Sequence, residues 1–429
     1  MNTYQEAIDY LESLNRFGIR LGLVRIEELL RRMGEPQNEY PTIHVTGTNG
    51  KGSATAMLSS ILTASGKKTG MYTSPHLSSY TERVRIGGEP IDEAKFAEAI
   101  FAVKEVAEQM ETDGAEYPTQ FEVLTAAAFW LFAKENVDCA VIEVGLGGLL
   151  DSTNVIVPEL SIITSIAVDH AEKCGDSLNG IAEHKAGIIK EGVPVFVCAD
   201  GEPLAIVERT AETKGADVYL GGRDFSATSC GIDGGMRTLL YSQGGMQETY
   251  RLRLLGSYQV DNASIAIAAA KDLGIEHEAI ACGLETVVWP CRLEILSQSP
   301  TILLDGAHNL AGVTALRASL DELFPNRKIL FLLGILQDKD VKGMAEVLVR
   351  ECDEAIITWP LSERAASPET VAQYVNASYV ETVECIEDGI ERIGMRADAD
   401  SIICIAGSFY LVGRAREVLV DRQTNEKQV

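Results

Sequence analysis

The 429-residue sequence has no C-x-x-C pair, no long apolar run and far fewer basic than acidic residues. Its nine cysteines are dispersed between Cys139 and Cys404. An odd, dispersed set is typical of reduced thiols rather than of a disulfide framework or a zinc site. No stretch approaches the ~20 apolar residues that cross a bilayer, and the first residues lack the basic start and apolar core of a secretory signal. We therefore expect a cytoplasmic protein without a membrane partner.

Positive charge is scarce, because 37 lysines and arginines face 63 aspartates and glutamates and leave a net charge of −26. This imbalance argues against a broad nucleic-acid-binding face, since nothing offsets phosphate repulsion. Anionic small molecules can bind only where a few cations converge. The length exceeds that of one typical hydrophobic core, which predicts two domains.

Apolar runs alternate with helical stretches along most of the chain, as a parallel sheet covered by helices requires. The pattern predicts an N-terminal P-loop NTPase-like domain over 1–288, with a small antiparallel subdomain at 218–255, and a smaller Rossmann-like domain over 289–429. The predicted helices are 5–33 with a loop at 18–23, 54–64, 92–110, 121–134, 179–190 and 262–273. The predicted strands are 137–144, 160–168, 194–198, 301–304, 328–333, 355–358 and 401–406.

The segment from Ile43 to Ser53 (IHVTGTNGKGS) is the most informative motif. A β-type run enters a loop with three glycines and one lysine, and a helical stretch follows. Glycines let backbone N–H groups turn inward, a helix N-terminus supplies further N–H groups, and Lys51 adds a cation. The loop departs from the general G-x-x-x-x-G-K-[ST] pattern at Val45 and Gly52. It predicts a polyphosphate site, and an ordinary glycine-rich turn is the alternative.

Chemically capable residues follow other predicted strands. Glu143 closes one run, Asp169 and His170 close the next, and Lys185 lies on the helix before a further strand. Ligands of open parallel sheets collect at strand carboxyl ends, so this set indicates Mg²⁺-assisted phosphoryl transfer. Singly, each residue has another explanation: Glu143 as a loop cap, His170 as a core histidine and Lys185 as a surface lysine.

Motifs over nearly the whole chain resemble those of the folylpolyglutamate synthase and dihydrofolate synthase group of Mur ligases. The loop T-G-T-N-G-K-G-[ST] is that family's own form of the phosphate loop. The other matching motifs are LGLVRI at 21–26, YTSPHL at 72–77, ERV at 82–84, PTQFE at 118–122, IEVGLGG at 142–148, DSTN at 151–154, DH at 169–170, HKAGIIK at 184–190, WPCRLE at 289–294, DGAHN at 305–309 and GSFY at 407–410.

The resemblance implies ATP and two Mg²⁺ ions as cofactors, with a monovalent cation as a further ion. It implies Lys51, Lys185 and His308 as catalytic residues, with Lys185 carbamylated by CO₂ to help hold the second metal. The residues implied to contact ATP are Asn49, Gly50, Lys51, Gly52, Ser53, Asn262, Arg292 and Asp305. Those implied to ligate magnesium are Ser74, Glu143 and His170. Those implied to line the pterin-side pocket are Ile19, Arg20, Leu21, Thr119, Gln120, Phe121, Glu122, Leu150, Asp151 and Ser152. Those implied near the incoming L-glutamate are His308 and Ser408.

The implied reaction adds L-glutamate to the γ-carboxylate of folates, and to dihydropteroate, through an acyl phosphate. A monomer acting on small molecules is expected. Leu149 stands where many family members carry arginine, which leaves the choice of folate substrate open. Another Mur-type amide ligase and a nucleotide-driven switch protein are the alternatives. A cell-wall Mur ligase is disfavoured because only 46 residues precede Gly47.

Overall fold

A computed structural model describes residues 3–168, residue 175 and residues 177–426. The chain divides into two compact units. The first comprises Met1–Thr228, Leu239–Arg251 and Asp261–Val287, and the second Ser229–Thr238, Leu252–Val260 and Val288–Val429. The assignment of 1–288 and 289–429 to an ATP-binding and a glutamate-ligase domain stays a prediction.

The described helices before Val288 are 9 to 20 residues long and lie between or beside the strands. They are α1 Tyr4–Ser13, α2 Val24–Arg32, α3 Lys51–Ala64, α4 Glu93–Thr112, α5 Gln120–Lys134, α6 Leu178–Ala186, α7 Gly201–Lys214, α8 Gln259–Asp272 and α9 His277–Thr286. The strands are β1 Thr42–Thr46, β2 Thr69–Tyr72, β3 Val84–Ile86, β4 Glu89–Pro90, β5 Cys139–Glu143, β6 Leu160–Ile163, β7 Val195–Val197, β8 Val218–Leu220, β9 Phe225–Asp233, β10 Met236–Gln243 and β11 Met246–Leu252.

The first eight strands form one sheet in the order β4-β3-β2-β5-β1-β6-β7-β8. The pairs from β2 through β8 are parallel, and only β3 and β4 join antiparallel at one edge. Every residue of β1, β5 and β6 is buried. Strands apolar on both faces require helices on both sides, which confirms the predicted α/β class. Since β2, β5, β1 and β6 are neighbours, the loops at their carboxyl ends lie side by side.

The strand at 218–220 corrects one boundary. It was predicted to open the antiparallel subdomain, but β8 pairs in parallel with β7 as the last strand of the large sheet. Strands β7 and β8, with α7 between them, form a β-α-β unit that ends just before Gly221 and Gly222. The Gly-Gly turn therefore marks the end of the large sheet rather than a turn within the small one. The three strands β9, β10 and β11 make the small sheet in the order β11-β10-β9. Two-residue Gly-Gly connections join them, and such connections make antiparallel hairpins.

The later helices are α10 Leu310–Leu323, α11 Val341–Leu348, α12 Pro368–Ala372, α13 Ile386–Arg396 and α14 Phe409–Glu426. The later strands are β12 Arg292–Gln298, β13 Thr301–Asp305, β14 Ile329–Leu333, β15 Glu354–Ile357, β16 Tyr379–Thr382 and β17 Ile402–Ala406. They form a sheet in the order β12-β13-β17-β14-β15-β16, in which only β12 runs antiparallel to its neighbour. This is the predicted Rossmann-like arrangement. No helix of the described residues is long and apolar enough to span a membrane.

A buried arginine explains why two segments before Val288 belong to the second unit. The Arg237 guanidinium is fully buried, donates to both carboxylate oxygens of Glu322 at 2.7 and 2.8 Å, and donates from Nε to the Leu255 carbonyl at 3.0 Å. The bidentate pair joins the segment of Arg237 to α10, which carries Glu322, and the bond to Leu255 joins the other segment to the same arginine. It also holds the pKa of Glu322 below its usual value.

One close helix crossing gives a prediction about stability. A Cβ on Gly283 of α9 would lie 2.4 Å from the backbone Cα of Ile61 on α3. Gly283→Ala is therefore expected to lower the free energy of unfolding by about 1–3 kcal/mol through overpacking. Gly394 is the matched control, because it lies inside α13 and no atom of the described residues lies within 4 Å of an added Cβ. Gly394→Ala is expected to raise stability by about 0.5–1 kcal/mol. Urea denaturation of both variants measures this, and equal effects of the same sign would contradict it.

Candidate active site

The phosphate loop connects β1 to α3, and α3 begins at Lys51. Gly50 has φ +88°, a left-handed conformation that favours glycine, and a Cβ there would lie 2.2 Å from Oδ1 of Asn262. The side chain of Asn262, on α8, thus lies directly against the loop. Gly52 and Ser53 are buried in the first turn of α3. The sequence predicted Asn262 and the loop as parts of one site, and the structure brings them together.

The segment after β6 holds the loop in shape. The Asn49 carbonyl accepts from Oγ1 of Thr164 at 2.7 Å and from Oγ of Ser165 at 2.9 Å. The Thr48 N–H donates to the Ser165 carbonyl at 2.8 Å. These bonds explain why β6 ends at Ile163 rather than continuing through 168 as predicted. Sequence reasoning missed Thr164 and Ser165, although two adjacent hydroxyl residues at a strand end were a usable signal.

The Lys51 ammonium folds back over the loop. Its Nζ donates to the carbonyls of Gly47 at 2.9 Å and Thr48 at 3.2 Å. A cation and the N–H groups of a helix N-terminus therefore lie at one place. That combination suits the terminal phosphates of a nucleotide.

The candidate magnesium ligands follow the adjacent strands. Glu143 ends β5 with 4 % of its surface exposed, and its Oε2 accepts from the Ser74 backbone N–H, just beyond β2, at 3.2 Å. Lys185 lies in the last turn of α6 with 5 % exposed. The predicted ligand His170, with Asp169, lies outside the described residues.

The donor set of these residues fits magnesium. Mg²⁺ is usually held by one or two carboxylates and substrate phosphates, with water completing its shell, so a carboxylate and a serine hydroxyl beside a phosphate loop are suitable donors. Among the residues that the structure describes, no three His, Cys, Asp or Glu side chains cluster as a metal site. A site of this open kind does not need such a cluster.

The loop that follows Glu143 packs against two helices. A Cβ on Gly145 would lie 2.4 Å from Cζ of Phe121 on α5, and one on Gly148 would lie 2.5 Å from the His184 carbonyl on α6. The Leu149 N–H donates to that same carbonyl at 2.7 Å. These contacts fix the loop over 145–154 beside α6, the helix that carries Lys185. We call this segment the acceptor loop.

Three residues predicted to line the pterin-side pocket are apolar and exposed. Ile19 is 63 % exposed, and Leu21 and Leu150 are each 37 % exposed. The loops that carry them meet where the Gly22 N–H donates to the Leu150 carbonyl at 3.3 Å. Exposed large apolar side chains on two touching loops are typical of a surface that binds a ligand or a partner.

Other predicted pocket residues form the start of α5. Thr119 and Glu122 make a capping box, with the Thr119 N–H donating to Oε2 of Glu122 at 2.7 Å. Gln120 donates to the carbonyl of Leu11 at 3.0 Å and to the Tyr80 hydroxyl at 3.2 Å. These side chains organise the helix end beside the exposed patch.

Arg25 joins two of the predicted segments, and sequence reasoning missed it. Its Nε donates to Glu122 at 3.1 Å, and its Nη2 donates to the Arg20 carbonyl at 2.8 Å. Arg20 lies over the ring of Phe17 at 5.4 Å. Arg25 thus connects the 18–23 loop to the start of α5. Its only signal was its place in the LGLVRI motif.

Asp151 and Ser152 are buried at the end of the acceptor loop. The Asp151 carboxylate accepts from the N–H groups of Leu146 at 2.8 Å and Thr153 at 3.0 Å, and from the Thr153 hydroxyl at 2.6 Å. Burial raises the pKa of Asp151, and these hydrogen bonds oppose the rise. The carboxylate therefore holds one fixed orientation.

In the second unit, Asp305 ends β13 and is buried. Its carboxylate accepts from the Tyr258 hydroxyl at 2.6 Å and from the N–H groups of Leu293 at 2.9 Å and Ala307 at 2.8 Å. Burial raises its pKa, and the Arg292 charge opposes that rise. Tyr258 is a further residue that sequence reasoning missed, because nothing around it marks a motif.

Phe409 lies between two predicted site residues of the second unit. The Arg292 guanidinium lies 4.7 Å from the centre of the Phe409 ring, and the His308 ring lies 5.0 Å from it. Nδ1 of His308 pairs with the Gly306 carbonyl at 2.9 Å. Ser408 is buried, and its hydroxyl accepts from the Leu411 N–H at 3.1 Å, at the start of α14. Arg292, His308 and Ser408 therefore meet at Phe409, which the GSFY motif could have indicated.

Two family models match most of the chain. Residues 45–270 match the Mur ligase middle domain, and residues 291–409 match the Mur ligase glutamate ligase domain. The sequence is 36 % identical to the folylpolyglutamate synthase of Lacticaseibacillus casei, over 97 % of this chain and 99 % of that protein. It is 33 % identical to the dihydrofolate synthase/folylpolyglutamate synthase of Bacillus subtilis, with the same shares.

Two solved structures show the same fold. The Mycobacterium tuberculosis folylpolyglutamate synthase complexed with ADP and AMPPCP has a TM-score of 0.89 and 32 % identity, and covers 97 % of this chain and 99 % of its own. The Escherichia coli FolC protein in complex with DHPP and ADP has a TM-score of 0.87 and 29 % identity, over 97 % and 98 %. The chain therefore belongs to the folylpolyglutamate synthase and dihydrofolate synthase family of Mur ligases.

Proposed function

We propose that this protein is an ATP-dependent ligase that adds L-glutamate to the γ-carboxylate of reduced folates and their polyglutamates, and that also joins glutamate to dihydropteroate. The observation that carries the proposal is the placement of the phosphate loop, Ser74 and Glu143 at the carboxyl ends of β1, β2 and β5. These strands are neighbours in one parallel sheet. A nucleotide phosphate, oxygen ligands and the exposed apolar patch then share one edge of that sheet.

The reaction needs activation because a carboxylate is a poor acyl donor. Its oxygen attacks the γ-phosphorus of ATP, the bond from that phosphorus to the β-bridging oxygen breaks, and ADP leaves as an acyl phosphate forms. The amine of glutamate then attacks the acyl carbon, and collapse of the tetrahedral adduct gives the amide, inorganic phosphate and a proton. Lys51 and the N–H groups around Gly50 stabilise the phosphoryl charge. Magnesium, when bound by Ser74, Glu143 and His170, neutralises further phosphate charge.

Lys185 is proposed to be carbamylated. An ammonium beside bound magnesium would be repelled, whereas a carbamate supplies the oxygen donors that the second ion prefers. The position supports this, because Lys185 is buried next to the acceptor loop that follows Glu143. A monovalent cation is proposed as a further ion.

The substrates are assigned to the remaining predicted residues. The apolar patch of Ile19, Leu21 and Leu150 is proposed to receive the pterin, with Asp151 fixed at its side. Arg292 and Asp305 are proposed to contact ATP, and His308 and Ser408 the incoming glutamate. The enzyme is further proposed to act as a cytoplasmic monomer with no nucleic-acid or membrane partner.

The decisive experiment supplies ATP, Mg²⁺ and L-glutamate to the purified protein with dihydropteroate or tetrahydrofolate in separate reactions. We expect phosphate release that depends on both glutamate and the pterin substrate, and a product heavier by one glutamyl residue. Phosphate release that ignores both substrates would instead indicate a nucleotide-driven switch. Release that requires a different acid or amino acid would indicate another Mur-type ligase.

The hydrogen bonds that hold the phosphate loop give a prediction about the KM for ATP. Thr164→Val removes the hydroxyl that donates to the Asn49 carbonyl, and one hydrogen bond of this kind contributes about 0.5–1.5 kcal/mol. The KM for ATP is expected to rise by roughly threefold to tenfold, with little change in the KM for glutamate. Thr164→Ser keeps the hydroxyl and is the control. Equal ATP affinity in the valine and serine variants would count against this role of Thr164.

A further inference from the structure

A buried hydrogen-bonded chain runs from the strand before the phosphate loop to the acceptor loop. Nε2 of His44, in the middle of β1, pairs with Oγ1 of Thr153 at 2.9 Å. The Thr153 hydroxyl and N–H contact Oδ1 of Asp151 at 2.6 and 3.0 Å. His44 and Thr153 are completely buried and Asp151 is nearly so. Neither His44 nor Thr153 belongs to any predicted substrate or metal contact.

The direction of the chain follows from its hydrogens. The Thr153 hydroxyl has one proton and donates it to the Asp151 carboxylate, so its oxygen accepts from His44. Nε2 of His44 must then carry its proton, and Nδ1 carries a lone pair. Among the described residues, Nδ1 has no hydrogen-bond partner. Leaving a buried lone pair unpaired costs less free energy than leaving a buried N–H group unpaired. Burial and the charge of Lys190 also lower the pKa of His44 to about 3, so the ring is neutral.

Asp151 in turn shapes the acceptor loop. Its Oδ2 accepts from the Leu146 N–H at 2.8 Å, so the carboxylate spans the start and the end of the loop. A second tie lies beside it, where Nδ2 of Asn154 donates to the carbonyls of Leu149 at 3.0 Å and Gly187 at 3.1 Å. Nζ of Lys190 donates to the Asn154 carbonyl at 2.9 Å. The loop backbone is thus fixed from both sides, while its tip is exposed.

We propose that His44 and Thr153 are positioning residues for the pterin-side substrate, acting by fixing the Asp151 carboxylate and the acceptor loop. This rests on the function proposed above, since it assumes that the loop receives the folate or pteroate. Neither residue touches the substrate. Their removal loosens the orientation of Asp151 and leaves the phosphate loop's own anchors, Thr164 and Ser165, in place.

Two matched pairs of variants test the proposal. His44→Phe keeps a buried ring without a donor, whereas His44→Gln keeps an N–H group near the position of Nε2. Thr153→Val removes the hydroxyl, whereas Thr153→Ser retains it. We expect His44→Phe and Thr153→Val to raise the KM for dihydropteroate or tetrahydrofolate about tenfold, a change of about 1.4 kcal/mol. The KM for ATP is expected to stay within about twofold, and the Gln and Ser variants to recover most of the loss.

The double variant His44→Phe/Thr153→Val supplies the sharper test. Because both residues act through the same chain, the double variant should be no more impaired than Thr153→Val alone. Additive losses, or equal rises in the KM for ATP and for the pterin substrate, would overturn the inference. Thermal unfolding shows whether the His44 variants fold. If they do not, the comparison of Thr153→Val with Thr153→Ser tests the inference by itself. A wild-type protein without pterin-dependent turnover would defeat the proposed function instead, so the two failures are distinguishable.

Discussion

Replacing Lys51 with alanine is expected to lower phosphate release dependent on the pterin substrate and glutamate by about 10³-fold, the upper range for loss of one group that stabilises transition-state charge. The Lys51 ammonium lies at the start of α3, within 2.9 Å of the Gly47 carbonyl. Its charge is therefore held where the terminal phosphates of ATP are proposed to bind. Single-turnover measurement of ADP formation tests the step directly.

Lys342→Ala is the matched control for Lys51→Ala. The Lys342 side chain is 63 % exposed on α11 and forms a 3.9 Å ion pair with Glu346 one turn later, so its removal should leave turnover unchanged. Thermal unfolding of both variants guards against a loss caused by misfolding. A well-folded Lys51→Ala protein that forms ADP at the wild-type rate would defeat the assignment of the phosphate loop.

Replacing Glu143 with glutamine is expected to lower the rate of ADP formation about as much as Lys51→Ala does. The side chain keeps its size, and one of its amide atoms can still face the Ser74 N–H, but the negative charge is lost. A neutral amide binds magnesium far less well than a carboxylate does. Magnesium should strengthen ATP binding to the wild-type protein and have little effect on binding to Glu143→Gln. Titration of ATP binding with and without magnesium measures this difference without relying on turnover.

Glu98→Gln provides the control for charge removal, since the Glu98 side chain is 53 % exposed on α4. It should behave as the wild-type protein in both assays. Retention of magnesium-dependent ATP binding by Glu143→Gln would mean that other residues hold the metal. The proposed ligand set would then be wrong, although the family assignment would stand.

The sequence predicted the fold well because its signals were local. Strands such as β5 and β14 are short runs that are apolar on both faces, and this pattern indicates a covered parallel sheet whatever the tertiary details. The phosphate loop was equally visible, since its glycines and lysine are contiguous. The edge strand β8 was misassigned because three half-buried residues before a Gly-Gly turn carry little periodic signal.

The parts of the candidate site that sequence reasoning missed depend on contacts between distant segments. Thr164 and Ser165 contact a loop more than 100 positions earlier, and Arg25 pairs with a carboxylate 97 residues away. His44 has the sequence surroundings of an ordinary strand residue, and its partner Thr153 lies 109 residues later. Pairings of this kind follow from strand order and helix packing, which a single sequence does not encode locally.

The acceptor loop has one consequence for how such enzymes diverge. Its base is secured to β1, α5 and α6, but Leu149 and Leu150 at its tip are 44 % and 37 % exposed. The Leu150 side chain therefore faces few packing constraints, whereas the Leu149 side chain also packs against Gly187, directly after α6. The acid substrate is proposed to bind at this tip, so substitutions of Leu150 are expected to change which acid is accepted without altering the phosphate loop.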